Sequence, residues 1–294
     1  MNPLPSFGDM AAPEMWRALA PELHVADAAF LEAARRPVDF DPATLADIPR
    51  RLATSGYFQL PPPRWSFDLA ALGRGVSAVA KAGYPPVFIF MYDEAWLVFA
   101  QLKALLESAL GGSYMIMPAF WSWHVDGSRE SAGWPPHRDN HEKALMPDRR
   151  TPRLVALWIP LSEATPLNGC MYVLPADRDP FYEAPRDAKA GVDLQDIRAL
   201  PAATGSVLGW TQALYHWGGR ASQPVTTPRI SLSVEFQRGD ELPVLEPLLD
   251  PDVVPGVPER ARLILRQLLQ YRSFSPLTPE LLSFAKTHVG AGGK

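Results

Sequence analysis

The sequence has very little cysteine, no excess of basic residues and no long apolar run. Its 294 residues include one cysteine, Cys170, which excludes an internal disulfide and a cysteine-based zinc site. Lys and Arg total 28 against 32 for Asp and Glu, a net charge of −4. Without a basic excess or stripe, we expect no nucleic-acid partner. No run approaches the ~18 apolar residues of a membrane span, and Met1 to Pro5 lack the pattern of a signal peptide. We therefore expect a cytoplasmic protein that makes no membrane contact.

Proline and tryptophan, in contrast, are abundant. Proline accounts for 32 residues, roughly twice the usual share, and the prolines are dispersed, as in a chain with many short loops. Six of the nine tryptophans lie between Trp121 and Trp217. A loop-rich middle with concentrated aromatic residues favours a β architecture with a lined pocket.

Apolar residues recur at three-to-four spacing in the first third and in the tail, which predicts helices there. The predicted helices are Val25 to Arg36, Ala43 to Thr54, Phe67 to Ala82, Tyr92 to Leu110, Glu259 to Tyr271 and Pro279 to Lys286. The pair Gly111-Gly112 ends the fourth of these helices.

The middle of the chain has the short, β-rich segments of strands, bounded by Pro, Gly or Asn. The predicted strands are Tyr57 to Leu60, Tyr114 to Val125, Arg153 to Leu161, Met171 to Leu174, Ser206 to Trp210 and Arg229 to Gln237. Such strands joined by long loops suit a mainly β fold with a double-stranded β-helix core, that is, a cupin-like jelly roll. We expect one domain over residues 1–294, with a helical region at about 1–112, the jelly roll at about 113–240 and a helical tail at about 241–294.

Four of the six histidines fall in the strand-rich region, and one of them begins a metal-ligand pattern. His137 and Asp139 are two residues apart, so an extended segment presents both on one face. One imidazole and one carboxylate are two thirds of a 2-His-1-carboxylate set, which binds Fe(II) and leaves positions open. A surface ion pair explains the same spacing, and His124 and Asp126 repeat it.

A third candidate ligand is His216, at the end of a strand and before a glycine pair. A histidine on such a scaffold suits a metal site, and it equally suits a core histidine bonded to a backbone carbonyl. The next strand alternates apolar residues with Arg229, Ser231, Ser233 and Glu235. This polar face either meets solvent or lines the barrel, where Arg229 would bind a carboxylate through its bidentate fork and Ser231 would add a hydrogen bond.

The order of these pieces, and above all the segment Trp158 to Pro175 (WIPLSEATPLNGCMYVLP), resembles the phytanoyl-CoA dioxygenase-like family of Fe(II)/2-oxoglutarate-dependent oxygenases. In that family the segment bridges two barrel strands through an Asn-Gly turn. The resemblance runs from about Tyr114 to Gln237, and Gly56 to Leu60 is similar to an early strand of the family.

The resemblance implies roles for particular residues. The metal ligands fall on His137, Asp139 and His216, and the 2-oxoglutarate arginine falls on Arg229. Two further residues would complete the cosubstrate site, Ser231 in an Arg-x-Ser pattern and Trp158 beside the cosubstrate. Three others are assigned outside the ligand set, namely His124 and Asp126 as a structural or outer pair and His141 as a residue either of a loop or of the shell around the ligands.

The resemblance also implies the chemistry. Fe(II) would be the metal, 2-oxoglutarate and O2 the cosubstrates, and a hydroxylated substrate the product beside succinate and CO2. Halogenases of the family lack the carboxylate ligand, so Asp139 disfavours halogenation. Desaturation, epoxidation and cyclisation stay open, as does a jelly-roll protein that binds metal without turnover.

The substrate is expected to be a small metabolite or natural-product intermediate, because no dense Lys/Arg cluster is present to bind the phosphates of an acyl-CoA. The long loops Gly127 to Pro135 and Asp177 to Pro201 are expected to edge its pocket. Its aromatic wall is predicted to consist of Trp121, Trp123, Trp134, Trp217 and Tyr182. The sequence makes no prediction of oligomeric state.

Overall fold

The computed structural model describes residues 5–128, 133–183, 192–222, 227–275 and 277–289. Its α-helices are α1 (Phe7–Met10), α2 (Pro13–Leu19), α3 (Ala28–Ala34), α4 (Pro42–Ser55), α5 (Leu69–Lys81), α6 (Asp93–Ala100), α7 (Lys103–Leu110), α8 (Val257–Gln270) and α9 (Pro279–Val289). Its strands are β1 (Tyr57–Leu60), β2 (Tyr114–Val125), β3 (Leu154–Pro160), β4 (Met171–Leu174), β5 (Arg198–Leu200), β6 (Val207–Thr211), β7 (Tyr215–Gly218) and β8 (Arg229–Arg238). Within the described ranges, no helix combines the length and apolar character that crossing a membrane requires.

The helix predicted from Tyr92 to Leu110 is two helices, α6 and α7. The chain breaks at Gln101 and Leu102, where the carbonyl of Gln101 accepts from the amide of Val38 at 3.0 Å. The Gln101 side chain, fully buried, accepts from the amide of Ser66 at 3.1 Å. These long-range bonds replace intrahelical ones, which local periodicity cannot reveal. The predicted end is confirmed, since Gly111 has φ = 77°, a left-handed conformation that glycine adopts at low cost.

A five-stranded antiparallel sheet has the order β1-β6-β3-β8-β2. The apolar side chains of β8 lie in the main core together with residues of the helices. The opposite face of β8 is also covered: Arg229 and Ser231 are fully buried and Ser233 is buried. The polar face of this strand is therefore inside the protein. Of the two interpretations of its alternation, the structure supports a face that lines the barrel over a face that meets solvent.

A three-stranded antiparallel sheet, of order β5-β4-β7, faces the larger one. Trp158 and Trp210 of the large sheet share a core with Met171 and Val173 of the small sheet. The predicted fold class, antiparallel sheets with surrounding helices, is confirmed, and the two facing sheets are the arrangement of a jelly roll. Strands β5 and β7, of three and four residues, are not among the predicted strands.

Helix α8 is joined to an irregularity in β2. The pairing of β2 with β8 shifts register between Ile116 and Phe120, which leaves main-chain groups of β2 without strand partners. Gln267 of α8 bonds them: its Oε1 accepts from the Phe120 amide at 3.1 Å and its Nε2 donates to the Pro118 carbonyl at 2.9 Å. This tether fixes the end of α8, and with it Tyr271, beside the sheet.

Candidate metal centre

The three side chains predicted as metal ligands lie together. His216 is on β7, and its amide and that of His137 each donate to the other residue's carbonyl at 3.0 Å. Nε2 of His137 lies 3.2 Å from Oδ1 of Asp139, and Nε2 of His216 lies 3.7 Å from the same oxygen. One ligand atom from each of the three residues lies within 4.8 Å of the others. This cluster can hold a metal ion.

The main chain orients both imidazole rings. Nδ1 of His137 lies 2.7 Å from the carbonyl oxygen of Pro135, and Nδ1 of His216 lies 3.0 Å from that of Leu214. A carbonyl oxygen only accepts, so each Nδ1 carries the ring proton and each Nε2 presents its lone pair to the centre. Protein metal sites hold histidine ligands in this way.

Neighbouring side chains orient the carboxylate. Nε1 of Trp210, on β6, donates to Oδ2 of Asp139 at 3.2 Å, which leaves Oδ1 directed at the histidines. Arg138, between the two ligands in sequence, points elsewhere: it donates to the carbonyl of Ala213 at 2.6 Å and pairs with Asp179 at 2.7 Å. The first contact holds the ligand segment against the turn that precedes β7, and the second holds it against the segment that follows β4.

The electrostatics of the cluster favour an ionised carboxylate. Burial raises the pKa of Asp139, but the charges and hydrogen bonds of His216, His137 and Trp210 outweigh it and leave that pKa lowered. Burial lowers the pKa of His216. Burial also lowers the pKa of His137, but its hydrogen bond to Asp139 outweighs this effect and leaves the pKa raised. A carboxylate beside an unprotonated His216 is the donor state that a divalent cation requires.

Arg229, at the start of β8, is a buried cation with no carboxylate partner among the residues that the structure describes. It is 1% exposed, and burial lowers its pKa to about 10. Its Nη1 donates to Oγ of Ser231 at 3.1 Å, whereas its Nε and Nη2 have no hydrogen-bond partner among the described residues. The buried Nε1 of Trp158 is likewise without a partner there, and the guanidinium lies 5.9 Å from the centre of that indole ring. Three unused donors in one place predict an anionic ligand, since buried polar groups are normally satisfied.

The comparison with protein families decides the identity of this region. Residues 95–227 match the model of the phytanoyl-CoA dioxygenase family. The chain contains a phytanoyl-CoA dioxygenase family domain. The family inferred from the segment Trp158 to Pro175 is thereby confirmed. The matched range includes all three residues of the metal cluster and ends two residues before Arg229. No curated protein sequence matches the chain.

Solved structures share the fold of this chain at low sequence identity. AviO1 from Streptomyces viridochromogenes is 18% identical with a TM-score of 0.51, over 70% of this chain and 98% of its own. The non-heme monooxygenase ThoJ, in a nickel complex, is 14% identical with a TM-score of 0.50, over 81% of this chain and 100% of its own. EvdMO1 is 20% identical with a TM-score of 0.51, over 66% of this chain and 50% of its own.

One cavity is lined both by the three residues of the metal cluster and by Arg229. Of the five aromatic residues predicted for its wall, Trp121, Trp123 and Trp134 line it. Trp217 and Tyr182 do not. Trp217 alternates with His216 on β7, so it points away from the cavity and stacks on Tyr172 with ring centres 5.6 Å apart.

Tyr182 is placed in the core between the sheets rather than in the cavity wall. Its hydroxyl lies 2.5 Å from Oγ1 of Thr211. The predicted pocket-edging loops are described only in part, because residues 129–132 of the first and 184–191 of the second lie outside the described residues.

The other histidines of the family domain lie outside the metal cluster. His141 contacts the carbonyl oxygens of Phe181 and Tyr182 at 3.0 and 2.9 Å, so it joins two loops. His124 and Asp126 lie at the end of β2, in an open groove beside the cavity.

Three residues of the cavity wall were not singled out by sequence reasoning. Trp210 donates to Asp139, and Glu235 and Tyr271 line the same cavity. Alternation along β8 placed Glu235 on the face of Arg229, so a signal for it existed. Tyr271 follows a helix in the tail, where nothing in the local sequence indicates a contact with the barrel.

Proposed function

We propose that this protein is a non-heme Fe(II)/2-oxoglutarate-dependent oxygenase that hydroxylates a C–H bond of a small molecule. The observation that carries the proposal is the pairing of the His137–Asp139–His216 cluster with the unsatisfied donors of Arg229 in one cavity. A 2-His-1-carboxylate set suits Fe(II) with open positions, and a buried arginine fork suits a carboxylate. The family's dioxygenase name and the monooxygenase ThoJ support an oxygenase.

The residues present fit such a metal. His137 and His216 would hold it through Nε2 and Asp139 through Oδ1, since hydrogen bonds already occupy the other donor atoms of all three. When bound, Fe(II) would activate O2, the oxidant, with 2-oxoglutarate as the co-reductant; one oxygen atom would enter the substrate C–H bond and the other would enter succinate, with release of CO2. Asp139 fills the ligand position that halogenation requires to be empty, so hydroxylation is preferred here.

The chain's own contribution is binding, orientation and exclusion of water. Arg229 and Trp158 would donate to the distal carboxylate of 2-oxoglutarate, with Ser231 holding the guanidinium in place. Both donors sit on the inner face of the large sheet, a rigid support for a site that must hold its geometry closely. The tryptophan wall keeps bulk water from the cavity, which limits side reactions.

The test is succinate formation from 2-oxoglutarate under air, with Fe(II) and ascorbate, alongside the iron content of the purified protein. His216→Ala should lose both iron and turnover. His141→Ala is the matched control, because His141 contacts two carbonyl oxygens away from the cluster, and it should retain both. Equal losses in the two variants, or iron retained in His216→Ala, would contradict the proposed ligand set.

A further inference from the structure

A carboxyl group that the proposed chemistry does not use faces the cavity from β8. Glu235 lies six residues from Arg229 on the same face of the strand, about 20 Å away along the backbone at ~3.4 Å per residue. Its Oε2 accepts from Nε2 of Gln212 at 2.7 Å, and its Oε1 accepts from the hydroxyl of Tyr271 at 3.4 Å. Glu235 is half-buried, and it is one of the residues that line the cavity. The inner face of β8 therefore has a cation at one end and a carboxyl at the other.

The carboxyl of Glu235 has no positive partner in the part of the chain that the structure describes: its neighbours are Gln212, Tyr271 and the like charge of Asp139. Loading the site as proposed above does not supply one. A divalent metal and Arg229 together balance the charges of Asp139 and the two carboxylates of 2-oxoglutarate, which leaves no positive charge to pair with Glu235. Burial and the charge of Asp139 raise the pKa of Glu235 well above its usual range, so the carboxyl keeps its proton more readily while no cation is bound, and a bound cation would stabilise its ionised form.

Aromatic rings surround the same end of the cavity. Tyr271 packs against Trp134 at 4.6 Å and against Trp121 at 5.3 Å between ring centres. Trp134 also stacks on Phe274 at 5.1 Å. Tyr271 thus belongs to this aromatic cluster and bonds Glu235 through its hydroxyl. Aromatic faces attract cations through their negative π surface, and the attraction is largest where water is excluded.

We propose that Glu235 and the aromatic rings of Trp121, Trp134 and Tyr271, all of which line this cavity, bind a positively charged amino group of the substrate. The substrate would then be a small amine, oriented with its ammonium at Glu235 and a C–H bond toward the His137–Asp139–His216 cluster. A neutral hydroxyl would also bond the carboxyl, but unlike an ammonium it would not stabilise the ionised form of Glu235. The proposal deepens the proposed function, on which it rests for the charge balance of the loaded site.

Three probes of similar shape and different charge test this: benzylammonium, benzyl alcohol and benzoate. Calorimetric titration into the full chain, both metal-free and loaded with Zn(II) and 2-oxoglutarate, gives their affinities. The wild type should bind benzylammonium about ten- to a hundredfold more tightly than benzyl alcohol, the range of one charge-assisted hydrogen bond. Benzoate should bind most weakly of the three to the loaded protein, because there Asp139 and 2-oxoglutarate already balance the charges of Zn(II) and Arg229.

Glu235→Gln keeps the side chain's size and should abolish the preference for the cation. Glu142→Gln, which changes an exposed glutamate away from this cavity, is the matched control and should keep it. Tyr271→Phe keeps the ring and should retain most of the preference. Equal binding of cation and alcohol by the wild type, or an unchanged preference in Glu235→Gln, would overturn the proposal. The metal-free titration needs no turnover. Absence of succinate formation would therefore refute the proposed function, whereas a measured preference of Glu235 for the cation would still stand.

Discussion

Replacing Arg229 with methionine should raise the stability of the free protein while it removes 2-oxoglutarate binding. Burial lowers the pKa of Arg229 from 12.5 to about 10, and each pH unit corresponds to ~1.4 kcal/mol, so the uncompensated charge costs the fold roughly 3 kcal/mol. Methionine restores apolar volume and removes this cost. It also removes the bond to Ser231, which is worth about 1 kcal/mol. The net gain is about 2 kcal/mol, or a rise in Tm of about 4–8 °C.

The same Arg229→Met change should weaken the binding of 2-oxoglutarate. Nε and Nη2 of Arg229 are the unused donors, and two charge-assisted bonds are together worth at least ~3 kcal/mol, so 2-oxoglutarate affinity should fall about a hundredfold or more. Arg229→Lys should recover only part of it, since an ammonium cannot bind a carboxylate through a planar fork. Arg220→Met is the control, because Arg220 is an exposed arginine nearby in sequence.

Two measurements check this prediction: thermal unfolding of the metal-free proteins and calorimetric titration of 2-oxoglutarate into the Zn(II)-loaded proteins. The opposite signs are the critical feature, because a residue with a purely structural role would lose stability and binding together. A less stable Arg229→Met protein with unchanged 2-oxoglutarate affinity would refute the reasoning and place the anion site elsewhere.

Further changes test the metal cluster and the sheet that supports it. Asp139→Ala should lower iron content and abolish succinate formation while thermal unfolding shows an intact fold; full iron retention would remove Asp139 from the ligand set. Trp210→Phe should weaken metal binding roughly 10–100-fold by freeing the carboxylate, the usual effect of losing an outer hydrogen bond, measured by competition with a chelator. Metal affinity should fall as the pH is lowered from about 8 to about 6, because His137 becomes protonated and a protonated Nε2 cannot bind a metal. Burial lowers the pKa of His137, but the interaction with Asp139 outweighs burial and leaves that pKa raised. An affinity independent of pH in this range would be inconsistent with His137 as a ligand. Gly209→Ala should destabilise the sheet by about 1–3 kcal/mol, because a Cβ there overlaps the ring of Phe58; chemical denaturation measures the loss.

The sequence by itself determined the elements that depend on local periodicity and turn chemistry. Strand β8 agrees with the prediction within one residue, because strict alternation from Arg229 to Phe236 admits few other structures. Gly111 ended α7 as predicted, since its left-handed conformation favours glycine. The family was also readable in the chain, from the continuous segment Trp158 to Pro175, which the comparison with the family model confirms.

Tertiary structure decided what those elements face. Alternation put Arg229 and Glu235 on one side of β8, but only the opposing small sheet and α8 make that side an interior cavity. His137 and His216 are 79 residues apart in sequence, and the main-chain bridge that joins them belongs to the fold. Tyr271 reaches Glu235 only because Gln267 tethers α8 to the irregular part of β2. Local sequence determines which residues share a face, whereas contacts between distant segments determine whether that face meets water, a core or a ligand.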